Sequence, residues 1–356
     1  MNKSSLTPTE KTIYALRSLY ESYGYSQYKM SKFEEYDLYV RNKSFLLSDN
    51  IIAFTDTTGK LMALKPDVTL SIVKNSGERE NGVRRVYYNE NVYRVPRGGF
   101  AFKEIMQSGL ECIGEIDDYN VSEVLLLAAK SLSEISESFV LDISDLGIVS
   151  SIIDSMGVGD EAKEKIITAI GEKNAQGIDA VCAECSADKE KTEMLKSLVS
   201  MNGGCDEMLK ILEGSDSYAQ AKRFATIVNV LKATFGDKVR IDFSVVDDMR
   251  YYTGIVFKGF VKGIPTSVLS GGRYDKLMER MGKRSGAIGF AVYLDLLDML
   301  DMEDVEYDAD VFVQYSENTP LDVTVKAVDE LISCGRRVIS GRVMPEKLKV
   351  REIVKI

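Results

Sequence analysis

Near the start of the chain apolar residues recur at helical spacing: Ile13, Leu16, Leu19, Tyr20 and Tyr23 follow the capping box Thr7-Pro8-Thr9-Glu10. That pattern predicts an amphipathic first helix ending near Gly24. Residues 51–55 and 61–65 read as strands flanking DTTGK, a hairpin-like turn in which Gly59 is available for positive φ. KPDVTLSIVKN then opens a short helix after Pro66. Two longer strand-like runs, VRRVYYNENVYRV and FAFKEIMQSGLECIG, meet at the turn PRGG and predict an antiparallel pair. The strongly apolar NVSEVLLLAAKSLSEIS predicts a helix lying on a sheet face, and FVLDISD a further strand.

From about residue 147 to 236 the pattern changes to helices alone, in EAKEKIITAIGEK, KEKTEMLKSLVSM, DEMLKILEG and YAQAKRFATIVNVLKATFG. This reads as a helical insertion. Strands resume with VRIDFSVVDD, YYTGIVFKGFV and TSVLSGG, and SGAIGFAVYLDLLDML passes from a small-residue strand into an apolar helix. The last fifty residues form a strand-helix-strand unit. The fold class is therefore α+β, a mainly antiparallel sheet flanked by helices. Its core is placed at 1–301, with the insertion inside it, and a short C-terminal unit at 302–356.

Composition narrows the chemistry. The 356 residues are 45% hydrophobic and 28% charged, as in ordinary folded proteins. The chain contains no histidine and no tryptophan, so imidazole bases, Ser-His-Asp triads and His-ligated metals are excluded. A formal charge of −10 argues against broad nonspecific nucleic-acid binding. The first residues do not read as a signal peptide, and nowhere do eighteen apolar residues run together, so a cytoplasmic chain is expected. Five cysteines without regular spacing suit reduced thiols. Cys182 and Cys185 have metal-site spacing, with Cys205 as a third ligand, but free thiols are the expectation where no histidine or fourth thiol can close the set. No metal and no cofactor are expected. Gly98 and Gly99 read as a strand turn rather than a phosphate loop.

Four segments resemble, in order, the catalytic core of histidyl-tRNA synthetases, a class II synthetase fold: YYNENVYRVPRGGFAFKEIMQSGLECIG, YYTGIVF, SGGRYDKLMERMG and GAIGFAVYLDLL. The resemblance runs from about residue 7 to residue 300. It implies that Arg94 stands where class II enzymes hold the ATP α-phosphate, a vestigial nucleotide position. A second arginine of that loop is missing about Phe100. The arginine that clamps the γ-phosphate is Leu296, which offers no donor. The arginine of the synthetases' Arg-Gly-Leu-Asp stretch is matched by Asp247, a reversed charge. Adenylation is therefore not expected.

The amino-acid half of the pocket is better kept in the resemblance. Asp67, Thr69, Gln107, Glu111, Tyr251, Tyr252, Gly271, Gly272 and Arg273 all match, although Asp67 replaces the usual Glu. Carboxylates at 67 and 111 can accept from an α-ammonium group, Gln107 can orient a polar ligand, and the tyrosines can wall an imidazole. Glu111 and Gln107 could instead satisfy each other, and Arg94 and Arg273 could be structural ion-pair partners. A Glu facing a core without a cation is costly, which favours a ligand.

A synthetase core with failed ATP residues resembles the regulatory subunits of short-form ATP phosphoribosyltransferases. The resemblance implies a chain without aminoacylation activity that activates a separate short catalytic chain and takes part in histidine feedback, histidine being the effector. A homodimer inside a hetero-oligomer is implied too, although Ser31 stands where the family's first motif has proline. The C-terminal unit resembles the opening of an anticodon-binding domain, and tRNA is not expected as a partner. The alternative is a divergent histidine-activating synthetase or ligase-like enzyme.

Overall fold

A computed structural model describes residues 6–46, 50–76, 82–95, 99–246, 251–300 and 307–356. The chain divides into two compact units, one of residues 9–297 and one of residues 298–356 with 1–8.

The larger unit begins with α1 (Pro8–Ser22) and continues through β1 (Ser26–Gln27), β2 (Phe33–Glu35), α2 (Tyr36–Arg41), β3 (Ala53–Thr55) and β4 (Leu61–Leu64). β2, β4 and β3 make a small antiparallel sheet, and Gly59, at φ +86°, turns the β3–β4 hairpin. Next come α3 (Thr69–Asn75), the long pair β5 (Val83–Arg94) and β6 (Lys103–Gly114), α4 (Asp118–Ile135) and β7 (Phe139–Asp145). α4 is started by a capping box, in which Asp117 accepts from the Asn120 amide and the Asn120 side chain accepts from the Asp117 amide.

The insertion holds six helices: α5 (Leu146–Ser155), α6 (Asp160–Gly171), α7 (Ala175–Glu184), α8 (Lys189–Ser200), α9 (Cys205–Ile211) and α10 (Tyr218–Phe235). The pattern reading gave four. It missed α5, whose apolar run continues β7 with only the Asp145 cap between them, and α7, a short helix capped by Asn174. The chain then returns through β8 (Val239–Ile241), β9 (Ile255–Val261), β10 (Leu269–Arg273), α11 (Asp275–Arg280) and β11 (Gly286–Tyr293). After β11 the segment Leu294–Met299 is a 3-10 helix rather than the α-helix its apolar spacing predicts. Asp295 and Asp298 break the apolar run there, and the larger compact unit ends at Leu297.

The main sheet has eight strands in the order β1-β5-β6-β11-β10-β9-β7-β8. Its interior pairs are antiparallel, and the edge pairs β1–β5 and β7–β8 are parallel. α1 and α4 pack on one face, where the Tyr20 ring meets Phe290 and Tyr87 and its hydroxyl lies 3.0 Å from that of Ser131. On the other side, fully buried Lys65 pairs with Glu90 of β5.

The smaller unit contains β12 (Ala309–Gln314), α12 (Leu321–Ser333), β13 (Val338–Gly341) and β14 (Val350–Lys355). Its three strands are parallel, in the order β13-β12-β14. The strand-helix-strand expectation is one strand short: β14, VREIVK, alternates apolar and charged residues and escaped notice after the polar stretch that precedes it.

Candidate functional site

The site follows from the period-two alternation of the sheet. One row of facing residues crosses it as Val256, Gly272, Gly289, Glu111 and Val86, and the next as Lys258, Ser270, Ala291, Gly109 and Tyr88. In the middle of both rows stand glycine, alanine and serine, so the face turned away from α1 and α4 is bare at its centre. Larger side chains on the outer strands and on α3 form walls around that floor. The result is a cavity of about 530 Å³.

Glu111 sits at the bottom, 2% exposed. Its carboxyl accepts hydrogen bonds from the Thr69 hydroxyl at 2.7 Å and from the Tyr274 hydroxyl. Burial pushes its pKa up to about 8, against the pull of those two hydrogen bonds, and nearby Asp67 adds to the rise. Gly289 leaves the space the carboxyl needs: a Cβ there would lie 1.8 Å from Glu111 Oε2. Asp67, just before α3, accepts from the Leu70 amide at 2.9 Å, and burial raises its carboxyl too, with Arg94 opposing. It still reaches solvent through the cavity it lines.

Aromatic rings make the walls. Tyr251 packs edge-on against Tyr252 at 4.7 Å and lies 5.7 Å from Tyr274 and 5.9 Å from Phe45. Burial holds the Tyr88, Tyr251 and Tyr274 phenols well above their usual range, so all three stay neutral. Gln107, 4% exposed, faces the cavity with no hydrogen-bond partner for its amide among the described residues. Arg94, 7% exposed, turns toward the cavity over the Tyr293 ring, and no carboxylate among the described residues pairs with it. Neither head is among the buried polar atoms left without a partner, so a guanidinium and an amide stay open to the cavity, where a ligand's polar groups can meet them.

The structure therefore brings Asp67, Thr69, Arg94, Gln107, Glu111, Tyr251 and Tyr252 together at one cavity. Gly271 lines it only through its main chain, because its side-chain direction points to the opposite face, toward Phe290 and Phe257. Gly272 lies in the floor row under the Tyr252 ring. Arg273 does not line the cavity; it pairs with Asp275 at 2.7 Å. Gln107 and Glu111 do not bond each other, since Thr69 and Tyr274 take the carboxyl. Leu296 lines the cavity, fully exposed Phe100 lies outside it, and Asp247 lies outside the described residues. Among the residues the sequence reading passed over are Tyr274, Tyr88, Phe45, Lys258, Asp295 and Gly289. Tyr274 stands inside the quoted GGRYD, so the motif itself carried the signal. The Cys185 thiol donates to the Val181 carbonyl and that of Cys205 to Ala225, and no group of His, Cys, Asp or Glu among the described residues could hold a metal ion.

Three comparisons bear on this geometry. A family model described as histidyl-tRNA synthetase matches residues 3–297. An ATP phosphoribosyltransferase regulatory subunit of Clostridium kluyveri is 30% identical over 79% of this chain and 74% of its own length. The chain belongs to this regulatory-subunit family, built on the histidyl-tRNA synthetase core. Another such regulatory subunit, from Clostridium acetobutylicum, is 29% identical over 90% of this chain and 83% of its own. The fold matches a solved ATP phosphoribosyltransferase regulatory subunit/histidyl-tRNA synthetase from Bacillus halodurans, with a TM-score of 0.79 at 21% identity, covering 98% of this chain and 93% of that one. In a regulatory subunit of this family, the cavity offers hydrogen-bond acceptors at its floor, rings on its walls and a cation at Arg94.

Proposed function

We propose that this chain is the noncatalytic regulatory subunit of a short-form ATP phosphoribosyltransferase: it docks the separate catalytic chain, raises its activity, and carries feedback by histidine bound in the 530 Å³ cavity. The observation that carries the reading is the contrast within one cavity. Buried acceptors for an amino-acid ligand stand beside neutral tyrosines, whereas the place of the γ-phosphate arginine is the aliphatic Leu296. Histidine fits in outline, with its ring at the tyrosine-walled end near Glu111 and its zwitterionic end between Asp67 and Arg94. For feedback, histidine must bind the activating and inhibited states of the assembly with different affinity.

The assembly we propose is a homodimer of this chain within a hetero-oligomer, working in the cytoplasm without tRNA and without aminoacylation. No described helix is long and apolar enough to cross a membrane.

The deciding experiment measures phosphoribosyl-ATP formation by the short catalytic chain of the same source, with and without this protein and with and without histidine. Activation that histidine reverses supports the reading; no activation and no complex would sink it. In the same assay Glu111→Ala should blunt histidine inhibition while the complex still assembles. A second reading, a histidine-activating enzyme, draws on the unpaired Arg94 aimed into the cavity. Histidine-dependent pyrophosphate exchange would support it.

A further inference from the structure

Glu111 is a buried carboxyl whose only hydrogen-bond partners among the described residues are two hydroxyls. Around it, α3 and the segment before it contribute Thr69 and Asp67, β5 contributes Tyr88, β6 itself Cys112, the approach to β9 Tyr251, and the β10–α11 junction Tyr274. β11 contributes only Gly289. No Lys or Arg among the described residues forms an ion pair with it; Arg94 opposes Asp67 instead. The cavity's cations, Arg94 and Lys258, and a further acid, Asp295, line the same space without an ion pair to Glu111, whose own contacts are hydroxyls, a thiol and Asp67.

We propose that Glu111 carries a proton in the empty cavity and hands it to the ring nitrogen of an imidazole-bearing amino acid, so that the bound state is a buried carboxylate–imidazolium pair sharing that one proton. The proposal rests on the histidine reading of the cavity and adds to it the state in which the ligand is held. One O–H bond at Glu111 breaks and one N–H bond at the ring forms, with no proton exchanged with solvent near neutrality. The carboxylate left behind keeps the hydrogen bonds from Thr69 and Tyr274, which stabilise the charged form. The raised pKa of the carboxyl agrees with this arrangement. Tyr274 is thus a positioning residue, acting through the carboxyl.

The pH dependence follows with its sign. Below the free ring's pKa of roughly 6.5, ligand and site bring two protons and the complex keeps one, so acid weakens binding. Above the carboxyl's value of about 8 they bring none, one must be taken up, and alkali weakens binding about tenfold per pH unit. Between the two values affinity is flat.

The test is nitrogen-15 NMR of ring-labelled histidine bound to the whole protein at pH 7.5, with dissociation constants from pH 5.5 to 9. A ring seen as imidazolium, where free histidine is neutral, is the expected result. In Tyr274→Phe, which loses a bond favouring the carboxylate, the alkaline fall should move to higher pH; in Glu111→Gln the fall between pH 8 and 9 should shrink to the part set by the ligand's own α-ammonium, and the bound ring should be neutral. Binding of a neutral ring by the unaltered protein would overturn this inference alone. Absence of histidine binding at every pH would overturn the cavity reading and this inference with it.

Discussion

Replacing Gly289 by alanine adds one methyl group at the floor of the cavity. That methyl would stand 1.8 Å from Glu111 Oε2, 2.7 Å from its Cδ and 2.4 Å from the Leu110 carbonyl oxygen. The carboxyl can swing away, but the carbonyl belongs to the β6 ladder opposite and cannot. Overpacking of this kind costs about 1–3 kcal/mol. Displacing the carboxyl strips the Tyr274 hydroxyl of its acceptor, which adds roughly 1–2 kcal/mol. A total of about 3 kcal/mol lowers the melting temperature of a unit this large by roughly 6–12 °C. Scanning calorimetry gives that number, and titration calorimetry with histidine gives the functional one: affinity should fall at least about tenfold, the equivalent of ~1.4 kcal/mol. Gly254→Ala is the control, since its nearest neighbour would be Arg273 Cδ at an ordinary 3.8 Å. The cost of Gly289→Ala should also shrink in a Glu111→Ala background, because the two residues share one space. An unchanged melting temperature would refute the packing argument. A lowered one with undiminished histidine affinity would refute the placing of Glu111 in the ligand's seat.

Three further outcomes are expected. Glu90→Gln leaves the Lys65 ammonium buried without its counter-charge, and urea denaturation should show a loss of about 3–5 kcal/mol, most of it recovered when Lys65→Met is added. Arg94→Gln should weaken histidine binding at least about tenfold yet leave histamine, which lacks the carboxylate, nearly unaffected in the same titration; equal losses would place the guanidinium away from the ligand's acid group. Phe100→Ser should leave urea stability within about 0.5 kcal/mol, since its ring is fully exposed.

The elements that the sequence made legible are those whose signal is local. The β5–β6 pair, α4 and the β3–β4 hairpin follow from alternation, a strongly apolar run and a turn glycine, and each stands close to where the pattern places it. α5 was hidden because an apolar helix directly after an apolar strand leaves periodicity no boundary to mark. The ordered motifs brought Asp67, Thr69, Gln107 and Glu111 forward, and the cavity holds all four. What they did not supply is direction. Gly271 and Gly272 are neighbours in sequence and point to opposite faces, and Arg273 turns to Asp275, a pairing that becomes visible only once β10 ends and α11 begins. The bare floor was in the sequence as Ser270, Gly272, Gly289 and Ala291, two positions apart on each strand. Only the β10–β11 register, with Gly272 opposite Gly289, reveals that they coincide.

The parallel pairing of β7 with β8 carries a consequence for the order of folding. Leu141 faces Val239, so the ladder closes a loop of about a hundred residues, at an entropic cost of roughly 4 kcal/mol for a flexible chain. Because the strands run the same way, the insertion must carry the chain back along the full strand before β8 can begin, which no tight turn can do. Its six helices make mostly local contacts and can form early, shortening the effective loop before the edge closes. The insertion is thus a kinetic scaffold: the edge strand β8 waits on helices that lie outside the sheet, and substitutions that unfold those helices without shortening the chain would slow the closing of that edge.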